Sequence, residues 1–250
     1  MLTLVMPMAG RGSRFKAAGY VTPKPMILIE GVPMVERVRQ NMPQADKLIV
    51  VALEEHAPYI RPWAQGVCDK GEYVIGVHVT YIPEVTAGAA CTVYGIIEEV
   101  HPESELLVAN CDQWMDWSPA HFIDYCRRSG ASVTIPSFRA TGNKWSYCVL
   151  REDETVREVF EKPLFKASDI ATCGVYWWRI ATDCFSAIER MVQEDERTNG
   201  EFYLAPSINW LIREDGHRVL TYPVAQMVGL GTPEDLQAAM ANGIFGSVAS

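Results

Sequence analysis

Four apolar runs of strand length mark the first half of the chain: LTLVMPMA, KLIVVAL, HVTYIP and ELLVANCD. Their β-branched, nearly continuous apolar character predicts strands buried on both faces of a parallel sheet. Between them, PMVERVRQNM places Met34, Val35, Val38 and Met42 on one helical face, and PAHFIDYCRRSG predicts a helix ended by Gly130. AGAACTVYGIIEEV predicts a further helix. Strands and helices therefore alternate, which is typical of a parallel sheet with helices on both faces.

The pattern changes after residue 130. SVTIPSF, WSYCVLRED, VREVFEKP and TCGVYWWRI predict closely spaced strands, followed by helices over 182–196 and 203–215, a strand RVLTYPV and a last helix from Thr232. Because no linker divides the chain, we expect one α/β domain over 1–250 with a mixed, mostly parallel, Rossmann-like sheet. Its halves would be 1–130 and 131–250.

Three chemically suggestive features follow predicted strands. They are the loop after the first strand, Gly88 after HVTYIP, and Asp112 at the end of ELLVANCD. Ligands of open α/β sheets bind beyond the carboxyl ends of the strands, so the three features are expected to converge on one site.

Composition narrows the class of protein. The 250 residues carry a net charge of −9, which argues against nucleic-acid and anionic-membrane partners. No apolar stretch is long enough to span a membrane, and no cationic region precedes the first apolar run, so neither a membrane span nor a signal peptide is expected. Seven cysteines without a C-x-x-C pair favour reduced, mostly buried thiols in a cytoplasmic protein.

The segment MPMAGRGSRFKAAGYVTPKPM (6–26) is basic and contains no acid. It fails the P-loop pattern after Gly12, and Phe15 stands where a dinucleotide fingerprint needs its third glycine. Pro23 and Pro25 are expected to keep the segment extended. Glycines let backbone N–H groups approach phosphates, while Arg14 and Lys24, ten residues apart, supply charge. The loop therefore suits a triphosphate.

Asp112 ends an apolar strand, where a carboxylate is a poor core residue and a good Mg²⁺ ligand. A helix N-cap is the alternative, but the next predicted helix begins later, near Ser118. Asp116 could cap that helix or bind water.

MAGRGSRF followed by PKPM resembles the G-x-G-x-R…P-K signature of nucleoside-diphosphate-sugar pyrophosphorylases. The resemblance implies a GT-A-like nucleotidyltransferase fold in which 1–130 binds the nucleotide and 131–250 the acceptor. Arg14 and Lys24 would then hold the triphosphate and stabilise leaving pyrophosphate, with Mg²⁺ on Asp112. The loop positions Met8, Ala9, Gly10, Gly12 and Ser13 would wrap the nucleotide, and Gly88 and Ala89 would lie against its base.

The same resemblance implies an acceptor site in the second half of the chain. Lys162 in the E-K-P of VREVFEKP would contact the phosphate of a sugar 1-phosphate. The other acceptor-binding residues would be Asn110, Glu161, Gly174 and Glu201.

One position departs from the family pattern W-x-D-x-G-T, whose aspartate is a second metal ligand. This chain reads MVGLGTPEDL, so Gly229 stands in place of the aspartate. With GAACTV and KWSY, the departure resembles a subgroup found among capsule and surface-polysaccharide proteins. That resemblance implies the synthesis of a nucleoside-diphosphate sugar for such a polymer, with a pyrimidine triphosphate favoured. The seven tryptophans leave a homo-oligomer open.

Three alternatives stay open. The acceptor could be a non-sugar phosphate such as phosphocholine, a polyol phosphate or a phospho-amino acid, joined to a cytidylyl group. A GT-A glycosyltransferase would need a D-x-D, and residues 112–114 read DQW. A regulatory subunit could bind the nucleotide without turnover, and Gly229 motivates that interpretation.

Overall fold

A mixed ten-stranded β-sheet forms the centre of the computed structural model, which describes residues 1–165, 167–214 and 216–245. The strands are β1 (Leu2–Pro7), β2 (Leu28–Ile29), β3 (Val32–Pro33), β4 (Lys47–Leu53), β5 (Gly76–Ile82), β6 (Glu105–Ala109), β7 (Gln113–Asp116), β8 (Val133–Arg139), β9 (Ser146–Leu150), β10 (Val156–Glu161), β11 (Ile170–Thr172), β12 (Val175–Trp178), β13 (Val219–Pro223) and β14 (Gln226–Gly229). The α-helices are α1 (Ser13–Ala17), α2 (Met34–Gln40), α3 (Ala57–Asp69), α4 (Ala89–Tyr94), α5 (Pro119–Arg128), α6 (Ala181–Gln193), α7 (Leu204–Ile212) and α8 (Pro233–Ala241).

The large sheet has the strand order β10-β9-β11-β8-β12-β6-β1-β4-β5, with β13 beside β8. The neighbours β6, β1, β4 and β5 are parallel, as the apolar runs predict. β12 lies antiparallel between β6 and β8 and joins the two halves into one sheet. Because β1, β5 and β6 end at one edge, the three predicted site features meet there.

Helices cover both faces of the sheet, as predicted. One core packs α2, α3, α5 and α8 against the sheet, and it includes Val38, Ile60, Phe122 and Leu236. The other core packs α4, α6 and α7, with Val93, Ile188 and Ile208 among its members. The predicted fold class, a mixed sheet with helices on both faces, is confirmed.

The residues that the sequence predicts at helix ends lie at helix ends in the structure. Ser118 caps α5 by accepting a hydrogen bond from the His121 N–H, and Gly130 follows α5 with a φ of +71°. Thr232 caps α8 through the Asp235 N–H. The predicted helix over 203–215 is present as α7, and residue 215 lies outside the described residues. Residues 166 and 246–250 of the predicted 1–250 domain also lie outside them.

Other local predictions are corrected. The basic segment is not extended throughout, because residues 13–17 form α1 and residues 24–26 form a single 3₁₀ turn. TCGVYWWRI is not one continuous strand, because Cys173 and Gly174, whose φ is +66°, separate the end of β11 from β12. The predicted helix that begins at AGAACTV ends at Tyr94 and is followed by a separate 3₁₀ turn. β7 and β14 form a separate antiparallel pair that the sequence pattern does not predict.

Five of the seven cysteines are buried, in agreement with the composition argument. No helix in the described part of the chain is long and apolar enough to cross a membrane.

Candidate active site

Two adjoining pockets open at the carboxyl edge of the parallel strands and share Ala89, Asn110 and Asp112. The loop pocket, of about 570 Å³, lies under the basic segment. Eight predicted site residues line only this one: Met8, Ala9, Gly10, Gly12, Ser13, Lys24, Gly88 and Glu201. The sheet pocket, of about 440 Å³, lies over β9, β10 and β12. Its walls include the predicted Arg14, Glu161, Lys162 and Gly174.

Two predicted residues lie in a different pocket from their predicted partners. Arg14 lines the sheet pocket, whereas the loop glycines of its own motif line the loop pocket. Glu201, predicted on the acceptor side, lines the loop pocket near Gly88. Arg14 and Glu201 therefore each line the pocket opposite to the predicted one, and Asp112 lines both pockets.

The basic loop is shaped by Gly12, which adopts a left-handed conformation with a φ of +60°. Its carbonyl accepts hydrogen bonds from the N–H groups of Phe15 and Lys16 and so starts α1. Phe15 is fully buried and anchors that short helix to the core. A Cβ at residue 12 would lie 3.0 Å from Lys24 Cβ, so the glycine also lets the two arms of the loop close on each other.

Lys24 Nζ lies 2.6 Å from Asp112 Oδ2, which places the predicted phosphate lysine on the predicted metal ligand. Burial alone would lower the pKa of Lys24, but the attraction of the Asp112 carboxylate and its hydrogen bond with the ammonium outweigh burial and raise the pKa. Lys24 is therefore fully protonated at neutral pH. Burial also raises the pKa of the Cys111 thiol to about 11, so this neighbour is uncharged.

Gly88 is required by the backbone packed against it. Its φ is +147°, and a Cβ there would lie 2.3 Å from the Phe202 carbonyl oxygen. The Phe202 N–H donates to Ala87, and the Ala90 N–H donates to Phe202. Close packing against the backbone of Phe202 therefore requires a glycine at residue 88, which also lines the loop pocket.

Lys162 is held at the wall of the sheet pocket by several contacts. Its Nζ donates to Tyr203 Oη at 2.9 Å, lies 4.2 Å from the centre of that ring and 3.5 Å from Glu161 Oε1. Its backbone is left-handed, with a φ of +43°, and its N–H donates to the Trp145 carbonyl. Burial would lower the pKa of Lys162, but Tyr203 and Glu161 raise it overall. The ammonium is thus charged and fixed in direction.

Glu161 is the buried carboxylate of the sheet pocket, with a side chain only 7% exposed. Burial raises its pKa, although a hydrogen bond from Ser146 and the charge of Lys162 oppose that shift. Hydroxyl groups suit such a carboxylate because they donate hydrogen bonds to its oxygens and carry no charge.

Gly174 fits beneath two polar side chains. A Cβ there would lie 1.6 Å from Gln113 Oε1 and 2.5 Å from Asn110 Nδ2. Asn110 in turn donates from its side chain to Gln113 and from its backbone to the Gly174 carbonyl. The glycine therefore brings Asn110 and Gln113 together on the floor of the sheet pocket.

Gly229 lies opposite Trp145, and Gly231 approaches Asp112. A Cβ at residue 231 would lie 3.1 Å from Asp112 Oδ2, and the Asp112 carbonyl accepts a hydrogen bond from the Leu230 N–H. The MVGLGT segment therefore reaches Asp112, as the family pattern implies, but presents no carboxylate at 229.

The donor set fits a Mg²⁺ ion bound together with phosphates. No group of three or more His, Cys, Asp or Glu side chains that could hold a metal occurs within the described ranges. Mg²⁺ is commonly held by one or two carboxylates plus substrate phosphates and water. Asp112, at the junction of the pockets, supplies one such carboxylate.

Several wall residues were missed by the sequence reasoning: Gln113, Lys144, Trp145, Tyr203 and Asp235. Lys144 binds Asp235 through both carboxylate oxygens at 2.9 Å and lies 4.8 Å from the centre of the Trp145 ring. KWSY resembles a subgroup feature, but the local sequence does not indicate that its tryptophan faces Gly229.

The fold of this chain resembles those of solved nucleotidyltransferase structures. The structure of a nucleoside-diphosphate-sugar pyrophosphorylase from Vibrio cholerae superposes with a TM-score of 0.80 at 20% identity, covering 96% of this chain and 100% of that one. The family model of the MobA-like NTP transferase domain matches residues 5–203, and the chain belongs to this family.

Two curated relatives are also similar to most of this chain. Mannose-1-phosphate guanyltransferase alpha-A of Xenopus laevis is 22% identical over 225 residues, 84% of this chain. A mannose-1-phosphate guanylyltransferase regulatory subunit alpha of Xenopus tropicalis is 23% identical, again over 84% of this chain. The chain spans about half the length of both relatives, 51% in each case.

Proposed function

We propose that this domain transfers a nucleotidyl group from a nucleoside triphosphate to a sugar 1-phosphate, forming a nucleoside-diphosphate sugar and pyrophosphate. The observation that carries the proposal is the junction at Asp112. It joins a pocket lined by a basic, glycine-rich loop to one lined by Glu161 and Lys162. Two phosphate-bearing ligands could therefore meet there.

The reaction needs no proton transfer. A phosphate oxygen of the acceptor attacks the α-phosphorus of the triphosphate, and the bond from that phosphorus to the bridging oxygen breaks. Pyrophosphate leaves with the electron pair. Because the acceptor phosphate is already ionised at neutral pH, a general base is not required, and catalysis rests on positioning and charge.

The residues divide this work between the two pockets. Lys162, fixed by Tyr203, holds the acceptor phosphate, and Glu161 accepts hydrogen bonds from sugar hydroxyls. Lys24 and Arg14 neutralise the charge that grows on pyrophosphate. Mg²⁺, when bound at Asp112 with the phosphates, would withdraw charge from their oxygens.

The finer identity of the substrates is also proposed. The names of the relatives support a sugar phosphate acceptor, and the polysaccharide subgroup resembled by GAACTV and KWSY extends the proposal to a surface polymer. The pyrimidine preference stays a prediction, and the guanyltransferase name of one relative makes GTP a necessary competitor. A cytoplasmic location and an oligomeric state stay predictions as well.

Pyrophosphate release tests the proposal. The purified protein is incubated with Mg²⁺, each of CTP, UTP, dTTP, GTP and ATP, and a panel of sugar 1-phosphates and non-sugar phosphates. Release that needs both one triphosphate and one sugar 1-phosphate is expected. Release only with a phosphate such as phosphocholine would replace the sugar acceptor, and transfer from a UDP-sugar donor would favour a glycosyltransferase.

A regulatory subunit is the second candidate function. One relative is named a regulatory subunit, and Gly229 removes a carboxylate from the family pattern. This candidate predicts that a triphosphate raises the melting temperature by mass action while no acceptor in the panel gives pyrophosphate. The same two measurements therefore separate the candidates.

A further inference from the structure

Lys24 contacts the proposed metal ligand, Asp112, and also lines the pocket proposed for the triphosphate. Its ammonium contacts Asp112 Oδ2 at 2.6 Å, and the two side chains are 21% and 18% exposed. The pair is thus largely withdrawn from water, and each charge is the other's principal partner. In the free protein the lysine occupies the position beside Asp112 that a cation would take.

The backbone of Lys24 leaves its ammonium little freedom except at the outer bonds of the side chain. Pro23 precedes it with an extended ψ of 139°, and residues 24–26 form a 3₁₀ turn. The stem of Lys24 packs against Gly12, where a Cβ would already be 3.0 Å away. The ammonium can therefore swing between Asp112 and the adjoining loop pocket, but the residue cannot withdraw.

We propose that Lys24 acts as an internal cation that guards Asp112, so that a divalent metal and a polyphosphate enter this site together and hardly enter alone. The statement rests on the proposed nucleotidyl transfer, because it assigns both ligands to that site. A metal binding alone must displace the ammonium or share the carboxylate with it, and either event leaves two cations close together.

A polyphosphate removes that obstacle. Its oxygens offer Lys24 a new anionic partner in the loop pocket, which frees Asp112 for the metal. The metal in turn cancels the repulsion between Asp112 and the incoming phosphates. Each ligand therefore raises the affinity for the other by the same factor, as linkage requires. The expected factor is about tenfold or more, within the common range of roughly 5–150-fold.

The test measures binding rather than turnover, with Mn²⁺ followed by electron paramagnetic resonance and inorganic tripolyphosphate by calorimetry. In the wild type, tripolyphosphate is expected to bind about tenfold more tightly when Mn²⁺ is present. Lys24→Met removes the internal cation, so Mn²⁺ alone should bind at least about fivefold more tightly, while tripolyphosphate should bind more weakly. Asp112→Asn should abolish Mn²⁺ binding in both backgrounds.

Lys144→Met is the matched control, since it removes a lysine that is paired with Asp235 in the adjoining sheet pocket. It should leave the affinity for Mn²⁺ alone unchanged. A folded Lys24→Met variant that binds Mn²⁺ no more tightly than the wild type overturns the proposal, as does an equal gain in Lys144→Met. If Lys24→Met does not fold, Lys24→Gln provides the same comparison.

Failure of the proposed function has a different signature. A wild-type protein that binds neither tripolyphosphate nor its Mn²⁺ complex would contradict the assignment of the loop pocket to a triphosphate. The effect of Lys24→Met on Mn²⁺ alone would still decide whether Lys24 guards Asp112.

Discussion

The Trp145 ring lies directly against Gly229, so that a Cβ at residue 229 would come within 3.1 Å of Trp145 Cη2. The family pattern implies an aspartate at this position, and the tryptophan fills the space into which its side chain would extend. The glycine that replaces the family aspartate at 229 is therefore packed against a bulky residue, Trp145, 84 positions earlier in the chain. The two residues form one packed unit.

That contact predicts coupled effects on stability. Gly229→Ala should lower the free energy of unfolding by about 1–2 kcal/mol, because the added methyl overpacks the contact with Trp145. In a Trp145→Ala background the same substitution should cost almost nothing, since the space is open. Urea denaturation of the four proteins gives the coupling energy as a double-mutant cycle. Additive effects would mean that the ring does not confine residue 229.

Substitution of Gly88 is expected to lower stability more, because the contact involves backbone atoms of Phe202. Gly88→Ala places a Cβ 2.3 Å from the Phe202 carbonyl oxygen at a φ of +147°, so neither partner can yield by rotating a side chain. We expect a loss of roughly 3 kcal/mol in the free energy of unfolding. Thermal and urea denaturation measure that loss.

Gly10→Ala is the control for Gly88, because a Cβ at residue 10 meets no atom within 4 Å. Its free energy of unfolding should stay within about 0.5 kcal/mol of the wild type. Equal losses of stability in the two variants would show that the contact with Phe202 does not cause the loss in Gly88→Ala.

Arg14 predicts a loss of turnover without a loss of folding. Arg14→Ala should slow pyrophosphate release on the order of 10²–10³-fold, as when one stabilising donor is removed from a transition state. Lys16→Ala, which removes a cation paired with the exposed Glu55, should leave the rate unchanged. Near-normal turnover in a folded Arg14→Ala protein would remove Arg14 from the mechanism.

Glu36 predicts an acid-sensitive contribution to stability. Its carboxylate accepts hydrogen bonds from Arg39, Lys70 and Trp63. Burial would raise its pKa, but these partners outweigh burial and lower the pKa from 4.5 to about 2. A lowered pKa stabilises the folded state above the unfolded value of 4.5, and that stability is lost as the pH falls toward 2.

The contribution at neutral pH is roughly 3 kcal/mol. Urea denaturation at pH 7 and near pH 3 should show a steeper loss for the wild type than for Glu36→Gln, whose amide does not titrate. Glu152→Gln, at an exposed position, should follow the wild-type curve. Parallel curves for the wild type and Glu36→Gln would refute the effect.

The parallel half of the fold was predictable because its signals are local. Continuous apolar runs such as KLIVVAL define the buried strands, and the order of strands and helices fixes which strand ends meet. The cleft follows from that order, since Gly88 and Asp112 lie in the loops that follow the carboxyl ends of β5 and β6. The order of strands and helices thus predicts the edge of the sheet at which the two pockets open.

The contacts across the cleft were not predictable, because they join distant segments. β14 pairs with β7 more than a hundred residues away, and Trp145, which lies outside both strands, packs against Gly229. Lys24 and Asp112 were each singled out, yet their ion pair depends on the packing of the loop against the strand end. The turn at Gly174 depends in the same way on Asn110 and Gln113.

The shared boundary of the two pockets at Ala89, Asn110 and Asp112 has a consequence for reaction order. Two ligands can occupy the cleft side by side, so the proposed transfer can pass directly between them without a nucleotidylated protein. Initial rates measured against both substrates should then give double-reciprocal lines that intersect. Parallel lines would require the first product to leave before the second substrate arrives.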